Sequence, residues 1–242
     1  MKRFQEIDLF RGIAVVGMIL YHAIFALNFL NIAHTNILSD LWQPYLKFVQ
    51  FTFLGLVGVS MAISKKTYAD QIKRALKIFA GAVTITILTY IFVRDYFIIF
   101  GILHLITISI FILPAIKNKK YMGLISGLAV ISIWLFIKDI PSENIFLFIL
   151  GFKNMTISSL DYFPIFPWIA VPCFGLEIGH YLYRDNAPII DTKCPKFLRP
   201  VLFLGRHSFA IYLIHVPIIL ILINIILASI FISQFFLLVL QG

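Results

Sequence analysis

Residues 11–22 read RGIAVVGMILYH, with an arginine and a histidine bracketing ten uncharged residues. On a helix rising about 1.5 Å per residue, His22 stands roughly 16 Å beyond Arg11, about half the depth of a hydrocarbon layer near 30 Å thick. The stretch reads as the inner half of a membrane helix, with the guanidinium at the boundary and the imidazole near the midplane. Further apolar runs follow, and the full set lies at about 9–30, 46–64, 75–93, 97–116, 121–138, 163–183 and 207–230. Runs of this order are long enough to cross a bilayer. The chain is therefore expected to be an all-α, polytopic helical bundle of seven membrane spans joined by short polar loops.

Two stretches resist that scheme. Residues 208–241 are almost uninterruptedly apolar, and as one helix they would extend about 51 Å, well beyond a bilayer. One span with an interfacial tail is expected, and an eighth short span is the alternative. Residues 144–152, NIFLFILGF, are too few to span and should lie in the interface or fold back on the bundle.

Composition agrees with the runs. Hydrophobic residues make up 61% of the 242 and charged residues 13%, against about 45–50% and about 25% in soluble domains. That excess excludes a soluble catalytic domain. The net charge of +9 is explained by topology. With a cytoplasmic N-terminus, 16 of the 20 basic residues fall inside and only Lys47, Arg94, Lys138 and Lys153 outside, as the positive-inside rule asks. The basic balance thus points to membrane lipids as partners and to no nucleic acid. The opening MKRFQEIDLF is too acidic for a cleaved leader, so the first span should stay as an anchor. Cys173 and Cys194 lie at different depths, so neither a disulfide framework nor a metal site is expected. No repeat or low-complexity tract divides the sequence, and residues 1–242 read as a single domain at the cell membrane, compatible with a homo-oligomer.

Ionisable groups at membrane depth are costly and are functional candidates by default. His215 lies about 13 Å from Arg206 and His104 about 10 Å from an outer end near Phe97, so with His22 three spans bring imidazoles to the middle third. Asp8 and Arg11, spaced i and i+3, share a helix face and read either as an interfacial ion pair or as part of a site. Glu177 and His180 share a face in the same way.

Arg11 and His22 form an Arg-x10-His pattern that resembles the signature of transmembrane acyltransferases. The match extends through IDLFRGIAVVGMILYH (7–22), FLGLVGVSMAIS (53–64), FGILH (100–104), DYFPIFPWIAV (161–171) and LGRHSFAIYLIHVP (204–217). In this order and covering nearly the full length, these segments resemble prokaryotic membrane proteins related to heparan-alpha-glucosaminide N-acetyltransferase. The resemblance implies transfer of an acetyl group from acetyl-CoA on the cytoplasmic side to a sugar-like amine or hydroxyl, in a small molecule or a glycan. It makes His22 the general base or transient acyl carrier. In the lysosomal branch the catalytic histidine lies in the following loop, where this chain offers His34, so both stay open and depth favours His22. His215 could polarise the thioester. Arg11 and Arg206, with Asp8 beside them, would face the phosphates of the donor. Asp161, Tyr162, Trp168 and His104 would line the acceptor side.

Desolvation disfavours imidazolium, so a midplane histidine with no acid beside it can act as a base. Two other classes fit the same residues: a transporter or flippase with a His/Glu proton relay, and a non-catalytic membrane scaffold. No inverted repeat or paired broken helices speak for the transporter.

Overall fold

The computed structural model describes residues 4–35, 42–184, 187–189 and 195–240, with side chains through residue 230. Cys194, together with residues 1–3 and 241 of the stretches quoted above, lies outside these. Among the described residues every named element is a helix, and the expected helical membrane architecture is the one found.

Five helical stretches are long and apolar enough to cross a membrane. They are α1 (Gln5–Phe29), α2 (Trp42–Ala62), α3 (Tyr68–Phe92), the segment Ile165–Leu182 and the part of α10 from Ser208 to Ile230. Two shorter apolar helices, α4 (Ile102–Ile116) and α5 (Met122–Ile137), supply the runs expected at 97–116 and 121–138. The rest are α6 (Ile145–Leu150), α7 (Ile165–Trp168), α8 (Ala170–Leu182) and α9 (Arg199–Arg206). Side chains such as Phe92, Phe136 and Phe146 are more than 70% exposed, a surface suited to lipid and not to water. The chain is a multi-pass membrane protein.

One boundary differs from the sequence expectation, and the two stretches set apart above each take a definite form. Helix α4 begins at Ile102 and not near Phe97, because Gly101 is its extended N-cap. The segment 144–152 contains only α6, six residues capped by the Asn144 side chain on the Phe146 N–H and stopped by Gly151 at φ 107°. That positive φ suits glycine. Helix α10 (Ser208–Leu240) runs on without a break, so no turn sets off an eighth span.

The chain forms two compact units. The first comprises residues 1–7 and 51–193, the second residues 8–50 and 194–242. In the first unit, glycines let helices pack backbone to backbone. A Cβ on Gly58 would lie 2.7 Å from the Gly175 carbonyl carbon, one on Gly175 2.9 Å from the Gly55 carbonyl carbon, and one on Gly179 2.9 Å from the Val59 Cα. The small-residue spacing that draws membrane helices together thus joins the Phe51–Ala62 part of α2 to α8. Leu54, Met61, Leu105, Ile110, Leu113 and Leu176 fill the core there. The Lys117 ammonium donates to the Ser64 carbonyl, tying the end of α4 to the turn between α2 and α3. Burial pulls the Lys117 ammonium below the ordinary lysine range. Near the start of α1, the buried Glu6 accepts from the Ile189 N–H at 2.9 Å.

In the second unit, α1 meets the Trp42–Gln50 part of α2 through the Tyr45 hydroxyl, which donates to the Gly17 carbonyl at 2.8 Å. It meets α9 through another glycine pair. A Cβ on Gly12 would sit 2.8 Å from the Val201 carbonyl carbon, and one on Gly205 2.8 Å from the Asp8 carbonyl carbon. Helix α9 ends at Arg206, and His207, with φ −107° and ψ 16°, separates it from α10.

Candidate active site

The second unit holds two polar tiers on the same chain segments. At the first, Arg11 Nη1 donates to Asp8 Oδ1 at 3.1 Å and Arg206 Nε approaches Asp8 Oδ2 at 3.4 Å. The Asp8 side chain is 12% exposed, while Arg11 and Arg206 keep 22% and 37% of their side chains exposed. Two guanidiniums around one carboxylate leave the group with a net single positive charge. A buried carboxylate requires such partners, and the pairing fixes both arginines against Asp8. Local sequence explains the geometry: Gly12 follows Arg11 and Gly205 precedes Arg206, so each arginine neighbours the glycine that admits the opposite helix.

The second tier lies about 16 Å further along α1. His215 Nε2 is 3.0 Å from His22 Nδ1, with the rings edge to face at 4.7 Å between centroids. His22 Nδ1 is also 3.0 Å from the Met18 carbonyl oxygen. His215 Nδ1 is 2.7 Å from the Tyr212 oxygen and 3.2 Å from the Ile211 oxygen. Carbonyl oxygens only accept, so His215 carries its proton on Nδ1 and presents a lone pair at Nε2. That lone pair faces His22 Nδ1, which must then be the donor, shared between His215 and Met18. The tautomers follow from the contacts, and the lone pair of His22 falls on Nε2.

His34, the alternative base, is exposed in the coil after α1. The remaining candidates belong to the first unit. Asp161 Oδ2 accepts the Ile102 N–H at 3.0 Å, and His104 Nδ1 accepts the Gly101 N–H at 3.2 Å. Together they satisfy the N-terminus of α4, which Gly101 has no side chain to cap. A Cβ on Gly101 would press against the Asp161 carboxylate, at 3.0 Å from its carbon. The Tyr162 hydroxyl donates to the Phe148 carbonyl at 2.6 Å, and its ring stacks on Phe148 at 4.1 Å. Burial pushes that phenol up to about 12. Trp168 packs against Phe163 at 4.7 Å and Phe51 at 5.7 Å.

The structure thus brings together Asp8, Arg11 and Arg206, and separately His22 and His215. It adds residues that motif reading passed over: Gly12 and Gly205, which permit the ion cluster, Met18, whose carbonyl orients His22, and Tyr45. The adjacent glycines of RG and GR were the available signal, while Met18 acts through a backbone atom and left none.

Comparison with known proteins identifies the family. The family model described as heparan-alpha-glucosaminide N-acetyltransferase, catalytic, matches residues 3–217. No curated protein and no solved structure matches the chain.

Proposed function

Since the chain belongs to the catalytic family of heparan-alpha-glucosaminide N-acetyltransferase, a family of membrane acetyltransferases, we propose that it moves an acetyl group from acetyl-CoA to a sugar-like amine or hydroxyl at the cell membrane. His22 is the general base, with its N-terminus and ion cluster on the cytoplasmic side. The observation that carries this reading is the 3.0 Å contact between His215 Nε2 and His22 Nδ1, which leaves His22 Nε2 as the basic atom.

Nε2 takes the proton of the attacking amine or hydroxyl as that group adds to the thioester carbonyl. A carbon–nitrogen or carbon–oxygen bond forms, the carbon–sulfur bond breaks, and the proton on Nε2 passes to the departing thiolate. While Nε2 holds the proton, Nδ1–H still points at the His215 lone pair and the Met18 oxygen, which stabilise the imidazolium without a carboxylate. His215 is therefore a positioning residue, in the role an aspartate fills in a hydrolase triad. Arg11 and Arg206, oriented by Asp8, face the phosphates of the donor, where a planar guanidinium suits a phosphate oxyanion pair. Tyr162 and Trp168 offer aromatic faces on the acceptor side, and Asp161 and His104 serve that side through the α4 terminus they build. His34 is the competing base.

The test is acetyl-CoA binding and CoA release by purified protein in detergent, with amino sugars as acceptors. His22→Ala should keep donor affinity and lose turnover by about 10²–10⁴-fold, and His34→Ala should match wild type. Turnover surviving in His22→Ala, with loss in His34→Ala, would move the base to His34. Folded wild type with neither binding nor release would remove the acyltransferase assignment.

A further inference from the structure

The turn before α3 and its first turns gather cations that acyl transfer does not use. Lys66, Lys73, Arg74 and Lys77 line a groove of about 300 Å³ together with Asp70. Four cations against one carboxylate leave a net charge of +3 on the lining. The carboxylate is already engaged, since Thr67 Oγ1 donates to Asp70 Oδ2 at 2.7 Å. Lys66, Lys73 and Lys77 are exposed, so their ammonium groups are held out into the groove and not drawn into packing.

What lies beside the groove decides the ligand class. The same helix exposes Leu76 (53%) and Phe79 (45%) among and just past these cations. Further along, Ile87, Leu88, Ile91 and Phe92 are exposed in turn. A soluble anion would use the charges and leave that apolar face idle. A molecule with an anionic head and hydrocarbon tails uses both, with the head in the groove and the tails along α3. Basic clusters at the polar end of a membrane helix attract anionic headgroups by about 1 kcal/mol per cation.

We propose that this groove is a binding site for the phosphate headgroup of an anionic membrane lipid. It holds lipid independently of the acetyl-transfer reaction and sits in the first unit, on residues absent from the ion cluster and the histidine pair.

The experiment incubates the full chain with equal phosphatidylglycerol and phosphatidylcholine in mixed micelles and reads retained lipid by native mass spectrometry. Wild type should retain phosphatidylglycerol preferentially. Lys66→Gln, Lys73→Gln and Lys77→Gln should each reduce the preference roughly fivefold, the equivalent of about 1 kcal/mol, and the triple variant should reduce it by one to two orders of magnitude. Substituting arginine at the same three positions should preserve it, which separates charge from side-chain shape. Equal preference in wild type and the single glutamine variants would overturn the proposal. So would release of phosphatidylglycerol by millimolar CoA, which would assign the groove to a soluble phosphate.

Discussion

Replacing Gly205 by alanine plants a methyl group against the backbone of α1. Its carbon would lie 2.8 Å from the Asp8 carbonyl carbon and 2.9 Å from the Gly12 nitrogen, and nearer still to the Asp8 oxygen, where ordinary contacts begin at 3.4 Å. Neither obstacle is the flexible end of a side chain, so α9 must withdraw, by roughly 1.6 Å if the contact with the Asp8 oxygen is to return to normal. The Arg206–Asp8 approach, now 3.4 Å, then passes the roughly 4 Å limit of an ion pair. Overpacking of this kind costs about 1–3 kcal/mol. For a chain of this size that is a fall in Tm of about 2–12 °C. Donor affinity should weaken with it, because Arg206 loses the carboxylate that orients it. The assay is thermal unfolding in detergent beside equilibrium binding of acetyl-CoA. Gly55→Ala is the internal control, since its added carbon meets nothing within 4 Å. That variant should melt at or above wild type, as alanine is the better helix former by up to about 1 kcal/mol. A Gly205→Ala protein that melts and binds like wild type would refute the close-packing argument.

Other outcomes follow from the contacts. His215→Phe removes the lone pair that holds His22 Nδ1–H, and turnover should drop about tenfold, equal to roughly 1.4 kcal/mol, with donor Kd unchanged. Asp161→Ala strips the side-chain acceptor from the Ile102 N–H and should cost about 0.5–2 kcal/mol of stability, while Asp161→Asn retains most of it; equal melting of the two would remove the capping role. The phenols of Tyr162 and Tyr183 are both held near 12, Tyr162 by burial and Tyr183 by burial with Glu6 beside it. Folded values above the ordinary 10 mean that their contribution is complete below pH 10 and is lost as pH rises through 12. Alkaline denaturation should therefore be shallower over that interval in the Tyr162→Phe, Tyr183→Phe double variant, and identical slopes would contradict the assignment.

Much of the fold was legible because hydrophobic runs report spans locally. Long-range partners were harder to read. The start of α4 is set by Asp161, 59 positions from Ile102 in the chain, so an apolar run beginning at Phe97 hid a boundary fixed elsewhere. Asp8 and Arg11 announced themselves through i, i+3 spacing, but the second guanidinium on Asp8 arrives from residue 206. Depth arithmetic set His22 and His215 at similar levels; it carried no information on rotation about the helix axes, which is what turns Nε2 of one toward Nδ1 of the other. His104 drew notice for its depth and Asp161 for its place on the acceptor side, whereas what they visibly do is satisfy backbone donors, a duty that sequence patterns register only when cap and helix are neighbours.

The Lys117 contact to the Ser64 carbonyl has a meaning for biogenesis. The turn after α2 and the turn after α4 are separated by two helices, so threading α3 and α4 in opposite directions returns the chain to the same face of the bilayer. One of these two helices left unthreaded while the other is inserted would strand the ammonium on the opposite face of the bilayer from its acceptor. The clasp therefore favours insertion of α3 and α4 as a pair over insertion of either one alone.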